Sequence, residues 1–302
     1  MNHHVRVRAL TVFAAFCFAS LSIQPAASKE GSAIPDFSGL WGRNGLNFEL
    51  PLSGPGPVRN LMRRADGTMD GSRMVGDYAN PILKPEAAEI LKRKGEISLS
   101  GHLFPDPLNQ CRPMPPPYVL AGQLGLQVLQ ERDQITLIYF DDHKVRRVRM
   151  NATHPAHVIP TWQGDAIGRY EGDTLVIDTV GMKVGPLAVV DRYGTPFSET
   201  LHVVERYRLI DGEAAKEAVA RGEKESARIG VANAEGVTID PDYKGSGLQV
   251  QITVEDPGVF TMPWSALVTY RRALGEFPEF VCAESTFEYF SLALPTADRP
   301  DF

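Results

Sequence analysis

The chain has 302 residues, 43% of them hydrophobic and 23% charged, and its formal net charge at pH 7 is −6. It contains no run of basic residues and no strand pattern that combines aromatic with basic side chains, so we expect no nucleic-acid partner. Many short apolar runs separated by Gly and Pro predict one large β domain rather than two small ones.

Residues 1–28 are typical of an export signal peptide. Arg6 and Arg8 precede the apolar stretch Ala9–Ile23, and Ala26–Ser28 offers small residues for cleavage. The apolar stretch is short for a membrane span, and an uncleaved anchor is the alternative. We therefore expect a periplasmic or secreted mature protein without a stable membrane anchor. Its net charge falls from −6 to −8, because the signal carries two arginines and no acid.

Two cysteines, Cys111 and Cys282, remain after removal of a signal that contains Cys17. An even number of cysteines in an exported protein predicts a disulfide, here between the first third of the chain and its C-terminal region. Two free buried thiols are the alternative. The position of Cys111 in a proline-rich loop argues against a catalytic thiol.

The first part of the predicted fold combines a strand, a long loop and a helix. Asp36–Arg43 is expected to begin the fold as a strand. Residues 44–82 are rich in Gly, Pro, Asn and Asp, which predicts a long loop that could cover a cavity mouth. Lys84–Lys94 has one apolar face and Pro85 at its start, which predicts a helix on the outside of the sheet.

Strands are predicted next at 127–130, 135–140 and 145–150. The loop that follows contains His154 and His157. A His-x-x-His pair can hold a metal ion, but Pro155 lies between these two and no third ligand is close in sequence. We therefore predict no metal site, and expect surface or loop-packing histidines.

The segment Thr161–Thr179 is predicted to form two strands joined by a tight turn at Glu171–Asp173, in which Gly172 supplies a positive φ. These strands carry more charge than a plain hairpin needs. The charged residues in or beside them are Asp165, Arg169, Asp173 and Asp178. This pattern indicates either a buried polar network or a functional site.

The strand Ser198–Leu209 separates its side chains into two sets. Alternation places on one side Leu201, Val203, Glu205, Tyr207 and Leu209, and on the other Thr200, His202, Val204, Arg206 and Arg208. A carboxylate on an apolar face must be paired or protonated. Glu205 is therefore either salt-bridged, to Arg169 or Arg206, or an acid or base with a raised pKa. His202 is a candidate base if its face points inward and a solvated side chain if it points outward, and the apolar opposite side favours the outward orientation.

Residues 211–233 favour a helical insertion between strands. After it, Leu248–Glu255 and further segments between Phe260 and Ser285 are predicted to complete the sheet. Residues 29–302 are thus expected to form a single barrel domain with a helical insertion near 211–233.

Several motifs resemble a family of exported bacterial proteins with calycin-like features: DFSGLW at 36–41, GRYEGDTLVIDT at 168–179, Ser198–Glu199, Glu205–Tyr207, Glu255–Pro257 and Pro263–Trp264. The Gly-x-Trp of the first motif is similar to the first strand of lipocalin-like barrels, where the tryptophan plugs the closed end. The resemblance implies export and a β-rich fold, but it implies no reaction and no catalytic residues. The combined prediction is an all-β fold, an antiparallel calycin-like barrel with a few peripheral helices and long loops.

The first functional hypothesis is an exported enzyme that acts on a small apolar or aromatic compound by acid/base chemistry, as a lyase, isomerase or hydrolase. His202 or Glu205 is the candidate base, and Asp178 or Asp165 supports it. Arg169 is the candidate for stabilising a developing oxyanion. No cofactor is expected, because no Gly-x-Gly-x-x-Gly follows a strand and no phosphate loop is present.

Trp162, Tyr207 and Trp264 are the aromatic side chains assigned to substrate binding. The second hypothesis is a lipocalin-like periplasmic protein that binds a small apolar ligand, in which the same charges are structural. Charges that point into one open pocket with His202 favour the enzyme, whereas charges paired outside a cavity favour the binding or structural role. The number of acids and arginines in the strands favours the enzyme slightly.

Overall fold

The computed structural model describes residues 34–43, 45, 47–122, 124–140, 144–222, 225, 238–239, 245–274 and 282. The predicted signal peptide at 1–28 lies outside the described residues, as do most of the predicted insertion beyond Gly222 and most of the predicted strand at 280–285. Within these ranges the chain forms ten β-strands and two α-helices.

The strands are β1 (Gly39–Arg43), β2 (Leu124–Gln130), β3 (Gln134–Tyr139), β4 (Val145–Met150), β5 (Asp165–Glu171), β6 (Thr174–Val180), β7 (His202–Ile210), β8 (Thr238–Ile239), β9 (Gly247–Glu255) and β10 (Trp264–Leu274). The helices are α1 (Pro85–Leu99) and α2 (Gly212–Gly222), and a 3-10 turn covers Tyr118–Ala121.

Nine of these strands close into a barrel. They follow the order β1-β2-β3-β4-β5-β6-β7-β9-β10, and β1 pairs again with β10, while the short β8 pairs with the last residues of β10. The prediction of a β-rich barrel with peripheral helices is therefore confirmed.

The prediction that the barrel is antiparallel throughout is wrong, because β4 and β5 are parallel. A parallel neighbour needs a crossover of about a dozen residues, and Asn151–Gly164 provides one. Lipocalin barrels have eight up-and-down strands, so the calycin-like part of the prediction is not confirmed by this nine-stranded mixed barrel.

The hairpin β5–β6 has the predicted tight turn. Gly172 has a φ of 64°, a left-handed conformation that glycine adopts without steric cost. The helix α1 begins at Pro85 as predicted but continues to Leu99, beyond the predicted end. It buries Ala87, Leu91 and Gly95, which recur every four residues and so lie on one face of the helix.

The inward side chains of the strands form one continuous apolar core. Trp41, Ile177 and Val250 belong to it, and each is at most 2% exposed. The indole nitrogen of Trp41 donates a hydrogen bond to the carbonyl of Phe37 at 2.8 Å, and the guanidinium of Arg272 lies 4.5 Å from the centre of its ring. The barrel interior is therefore packed with side chains, and the first predicted strand contributes its tryptophan to that core.

A charged pair lies inside this core. Arg146 on β4 and Glu205 on β7 are 1% and 0% exposed, and Nη1 of Arg146 is 2.8 Å from Oε1 of Glu205. The hydroxyl of Tyr207 donates to Oε2 of Glu205 at 2.7 Å, and Nη2 of Arg146 donates to the hydroxyl of Thr179. Of the two alternatives for Glu205, the structure shows the salt bridge.

The predicted partners of Glu205, Arg169 and Arg206, were wrong. Both arginines occupy outward positions of their strands, whereas Glu205 points inward, so the barrel wall separates them. Arg146 alternates with the buried Val148 and therefore points inward with it.

The structure joins Cys111 and Cys282 in a disulfide, with their Cα atoms 5.5 Å apart, in agreement with the sequence prediction. The bond links the proline-rich loop before β2 to the C-terminal region after β10. It therefore ties together segments that are 171 residues apart in the chain.

Removing one partner of the buried pair should destabilise the fold strongly. In Arg146→Met the Glu205 carboxylate stays buried without its cation, and we expect the free energy of unfolding, measured by urea denaturation, to fall by about 3–5 kcal/mol. The double variant Arg146→Met/Glu205→Leu removes both charges and should recover much of that loss. As a control, Arg169→Met removes an exposed guanidinium and should change little. If Arg146→Met lowers the free energy of unfolding no more than Arg169→Met does, the Arg146–Glu205 pair is not important for stability.

Candidate functional site

Polar residues from four strands meet on the outer wall of the barrel. Asp165 begins β5, Asp178 lies near the end of β6, His202 begins β7 and Glu255 ends β9. Their neighbours along the strands, such as Ala166 and Val203, are buried inside the barrel, so these four side chains point outward. His202 therefore points outward, as the sequence favoured because the opposite side of its strand is apolar.

The crossover between β4 and β5 adds a histidine to this wall. Because the two strands are parallel, the crossover returns along the barrel before β5 begins, and it carries His154 to the polar residues. Nδ1 of His154 lies 2.6 Å from Oδ2 of Asp165, and Nε2 lies 3.1 Å from Oδ1 of Asp178. His154 thus bridges the two aspartates.

The contacts continue on both sides of this bridge. Nη2 of Arg149 lies 2.8 Å from each carboxylate oxygen of Asp165. Nε2 of His202 is 2.9 Å from Oδ1 of Asp178, and its Nδ1 is 3.8 Å from Oε2 of Glu255. We call these six side chains the outer polar chain: Arg149, Asp165, His154, Asp178, His202 and Glu255.

The two histidines of the outer polar chain differ in the protons that their contacts require. Both ring nitrogens of His154 face carboxylate oxygens, so both contacts are hydrogen bonds only when the ring carries two protons. His202 needs one proton, at Nε2, to bind Asp178, and its Nδ1 then presents a lone pair. The carboxylate of Asp178 therefore contacts a potential acid, His154, and a potential base, His202.

The electrostatics of Asp178 and His202 follow from their contact. The hydrogen bond to Asp178 raises the pKa of His202 above its ordinary value of 6.5, while burial acts in the opposite direction. Burial raises the pKa of Asp178, but the hydrogen bonds from His202 and His154 outweigh burial and hold this pKa below 3.8. Asp178 is therefore ionised at neutral pH, and His202 keeps its proton to higher pH than a free histidine.

The centre of the outer polar chain is open to solvent and flanked by apolar side chains. The side chains of Asp178 and His202 are 24% and 35% exposed. Directly opposite Asp178 on the neighbouring strands lie Ile167 on β5 and Val204 on β7, both half-buried. A small molecule that reaches this carboxylate from outside therefore meets hydrocarbon on either side of it.

The structure does not bring the other predicted catalytic residues to this centre. Arg169 is exposed on the outer wall, where its Nη2 lies 2.6 Å from Glu171, and Arg206 binds the same carboxylate at 2.6 Å. Glu205 lies inside the barrel, three positions after His202 and hence on the other face of β7. Of the five predicted catalytic residues, only Asp165, Asp178 and His202 share one site.

The three predicted substrate-binding aromatic residues are also separated. Trp162 is half-buried in the crossover loop, where Nζ of Lys183 lies 5.7 Å from the centre of its ring. Tyr207 and Trp264 are 1% and 2% exposed. Trp264 packs edge-on against Phe48 and Phe260, so a ligand reaches its ring, or that of Tyr207, only if the core opens.

Sequence reasoning missed His154 and Arg149 as members of the site. His154 was interpreted as a surface or loop-packing residue, since nothing in the sequence showed that its loop crosses back over β5 and β6. Arg149 had a usable signal, because it alternates with the inward Val148 and Met150 and so had to point outward.

Two observations bear on metal ions and membranes. In the described part of the chain, no three or more His, Cys, Asp or Glu side chains are grouped so that they could hold a metal ion. Within the same ranges, no helix has the length and apolar character that crossing a membrane requires.

The contact between His202 and Asp178 should make stability depend on pH. The stabilisation due to the raised pKa of His202 is complete below about pH 6.5 and is lost as the pH rises through the raised value. The stabilisation due to the lowered pKa of Asp178 is present above about pH 3.8 and is lost as the pH falls through the lowered value. We therefore expect this pair to contribute most between these two values.

The measurement is urea denaturation at about pH 6 and about pH 8 for the wild type and Asp178→Asn. The free energy of unfolding should decrease from the lower to the higher pH more in the wild type than in the variant. As a control, Asp173→Asn changes an exposed carboxylate on the β5–β6 turn and should retain the wild-type difference. Equal pH dependence in wild type and Asp178→Asn would contradict the assignment.

Comparisons with protein-family models, with curated proteins and with solved structures find no match to this chain. The resemblance to an exported bacterial family therefore stays a prediction from the motifs. Any statement about the function of the outer polar chain has to come from its side chains.

Proposed function

We propose that this protein is an exported enzyme that acts on a small apolar or aromatic molecule by cofactor-free acid/base chemistry, with His202 as the base. The observation that carries this proposal is the shared carboxylate, since Oδ1 of Asp178 contacts Nε2 of both His154 and His202. A carboxylate bound to one ring nitrogen of histidine orients the ring and selects the tautomer, which frees the other nitrogen to accept a proton.

In the proposed step, Nδ1 of His202 takes a proton from the substrate. The imidazolium that forms is stabilised by Asp178 at Nε2 and by Glu255, whose Oε2 is 3.8 Å from Nδ1. That separation is too long for a direct hydrogen bond, and leaves the nitrogen free to contact a substrate or a water molecule.

His154 supplies the matching acid. When both ring nitrogens carry a proton, His154 donates the proton at Nε2 to a developing negative charge on a substrate that displaces its contact with Asp178. Its Nδ1 stays bound to Asp165, which Arg149 holds in place. After the reaction the partly exposed His202 loses its Nδ1 proton to solvent and His154 takes a proton from solvent, which restores both side chains. Lyase, isomerase and hydrolase reactions all use such paired proton transfers.

The surroundings of Asp178 support an apolar or aromatic substrate. Ile167 and Val204 flank the carboxylate on the outer wall and offer hydrocarbon contacts beside the charged groups. The packed interior of the barrel gives no support to the lipocalin-like alternative, in which the ligand occupies the barrel itself. Arg169 and Glu205 pair elsewhere and have no part in this mechanism.

The test is turnover by the purified mature chain, without residues 1–28. Aryl esters and lactones report hydrolysis, and deuterium uptake from solvent into small aromatic ketones, followed by NMR, reports proton abstraction. We expect His202→Gln to lower the rate by about 10²–10⁴-fold, the usual contribution of a general base. Asp178→Asn should lower the rate too and shift the rising limb of the pH–rate profile to lower pH, since Asp178 raises the pKa of His202.

His157→Gln is the matched control, because His157 is exposed in the same loop as His154. It should retain the wild-type rate and pH profile. Turnover that survives in His202→Gln and His154→Gln would place the reaction elsewhere on the molecule. A wild-type protein that binds these compounds but converts none of them would contradict the enzyme and favour a carrier.

A further inference from the structure

A cleft lies next to the turn Asp191–Tyr193, which belongs to the connection between β6 and β7. Phe48, Leu50 and Val58 form an apolar side of the cleft. We call it the Arg192 cleft after one of the charged residues that line it.

Arg192 is the unusual residue of this cleft. Its side chain is nine-tenths buried, and two of its guanidinium nitrogens, Nε and Nη1, are buried without any hydrogen-bond partner among the residues that the structure describes. A buried cation without partners is strongly unfavourable, and nearly all buried polar atoms in folded proteins are paired. Because the described part of the chain supplies no partner for these two nitrogens, they are available to a group from outside it.

The acidic groups near Arg192 are already in use. The carboxylate of Glu225, which also lines the cleft, binds Arg59 and lies 2.7 Å from Nη2 of Arg63. Oδ1 of Asp191 accepts hydrogen bonds from the backbone N–H groups of Tyr193 at 2.9 Å and Thr195 at 3.1 Å.

Asp106 on the neighbouring loop is occupied as well. Its Oδ1 accepts a hydrogen bond from the backbone N–H of Asn109 at 2.8 Å, and its Oδ2 accepts one from the hydroxyl of Tyr118 at 3.1 Å. Among the arginines that line the cleft, Arg192 is therefore the one with two buried guanidinium nitrogens, Nε and Nη1, that these acids leave without a hydrogen bond.

The geometry points to the ligand class, and we propose that the Arg192 cleft binds the carboxylate of a small organic acid with an apolar body. Guanidinium and carboxylate form paired, charge-assisted hydrogen bonds that match in shape. Phe48 and Val58 are 6% and 5% exposed and give the inner cleft an apolar surface, while Leu50, 39% exposed, extends that surface to the mouth. This site is separate from the outer polar chain and does not depend on its chemistry.

The experiment is isothermal titration calorimetry of the purified mature chain with benzoate and with benzamide. The two compounds have nearly the same shape, and only benzoate carries a negative charge. We expect benzoate to bind at one site per chain, and benzamide to bind at least about tenfold more weakly, because it cannot form charge-assisted hydrogen bonds to Arg192.

Two variants test the role of the cleft independently. Arg192→Lys keeps the charge but loses the planar fork, and should weaken benzoate binding about 10- to 100-fold. Leu50→Glu places a negative charge at the exposed mouth, where it does not disturb the core, and should weaken benzoate far more than benzamide. Arg169→Lys, on the exposed outer wall, is the matched control and should leave both affinities unchanged.

Several outcomes would overturn the proposal. These are the absence of benzoate binding up to millimolar concentration, equal affinity for benzoate and benzamide, and benzoate affinity that is unchanged in both variants. If sulfate binds as tightly as benzoate, the proposed contact between the apolar side of the cleft and the ligand's apolar body is wrong. Loss of benzoate binding in His202→Gln, with Arg192→Lys unaffected, would place the acid at the outer polar chain instead.

Discussion

The arrangement of charged residues in this molecule depends on the alternation of side chains along each strand. In a closed barrel, successive side chains point alternately into the core and toward solvent. Asp178 and Thr179 are consecutive residues of β6, yet Asp178 contacts two histidines in solvent while Thr179 accepts a hydrogen bond from Arg146 in the core. His202 and Glu205 on β7 are divided in the same way. Two polar systems therefore lie back to back across one layer of backbone.

These two systems have different energetics, although both are built from acids and bases. Inside the barrel, Arg146 and Glu205 are shielded from water, so each depends on the other for compensation of its charge. A one-residue slip of β4 or β7 would turn one partner outward and leave the other buried alone, which makes the pair a marker of correct strand register. Outside, the partly exposed side chains of His202 and Asp178 remain in contact with water. The inner pair thus fits a structural role, and the outer polar chain is where we propose the acid/base chemistry.

Much of the fold was readable from local patterns, and the site was readable only in part. Hydrophobic alternation and Gly172 predicted the strands and the β5–β6 turn, since these depend on neighbouring residues alone. The same alternation separated His202 from Glu205. The parallel pairing of β4 and β5 was not predicted, because it depends on the path of the crossover rather than on either strand. Without that path, the sequence could not show that His154 meets Asp165 and Asp178, nor that Glu205 faces Arg146 across the core.

The pairing of β1 with β10, which closes the barrel, affects how the chain folds. Nη1 of Arg272 donates to the carbonyl of Ser38 at 2.9 Å across 234 residues of sequence, and the same guanidinium covers the ring of Trp41. Until β10 is in place, β1 and β9 each present an unpaired edge with free N–H and C=O groups, which are sites where strands of other chains can add. Contacts this distant in sequence also form slowly, since the long intervening chain must first be ordered. Until β10 pairs with β1 and β9, the incomplete barrel is therefore open to self-association through these two strand edges.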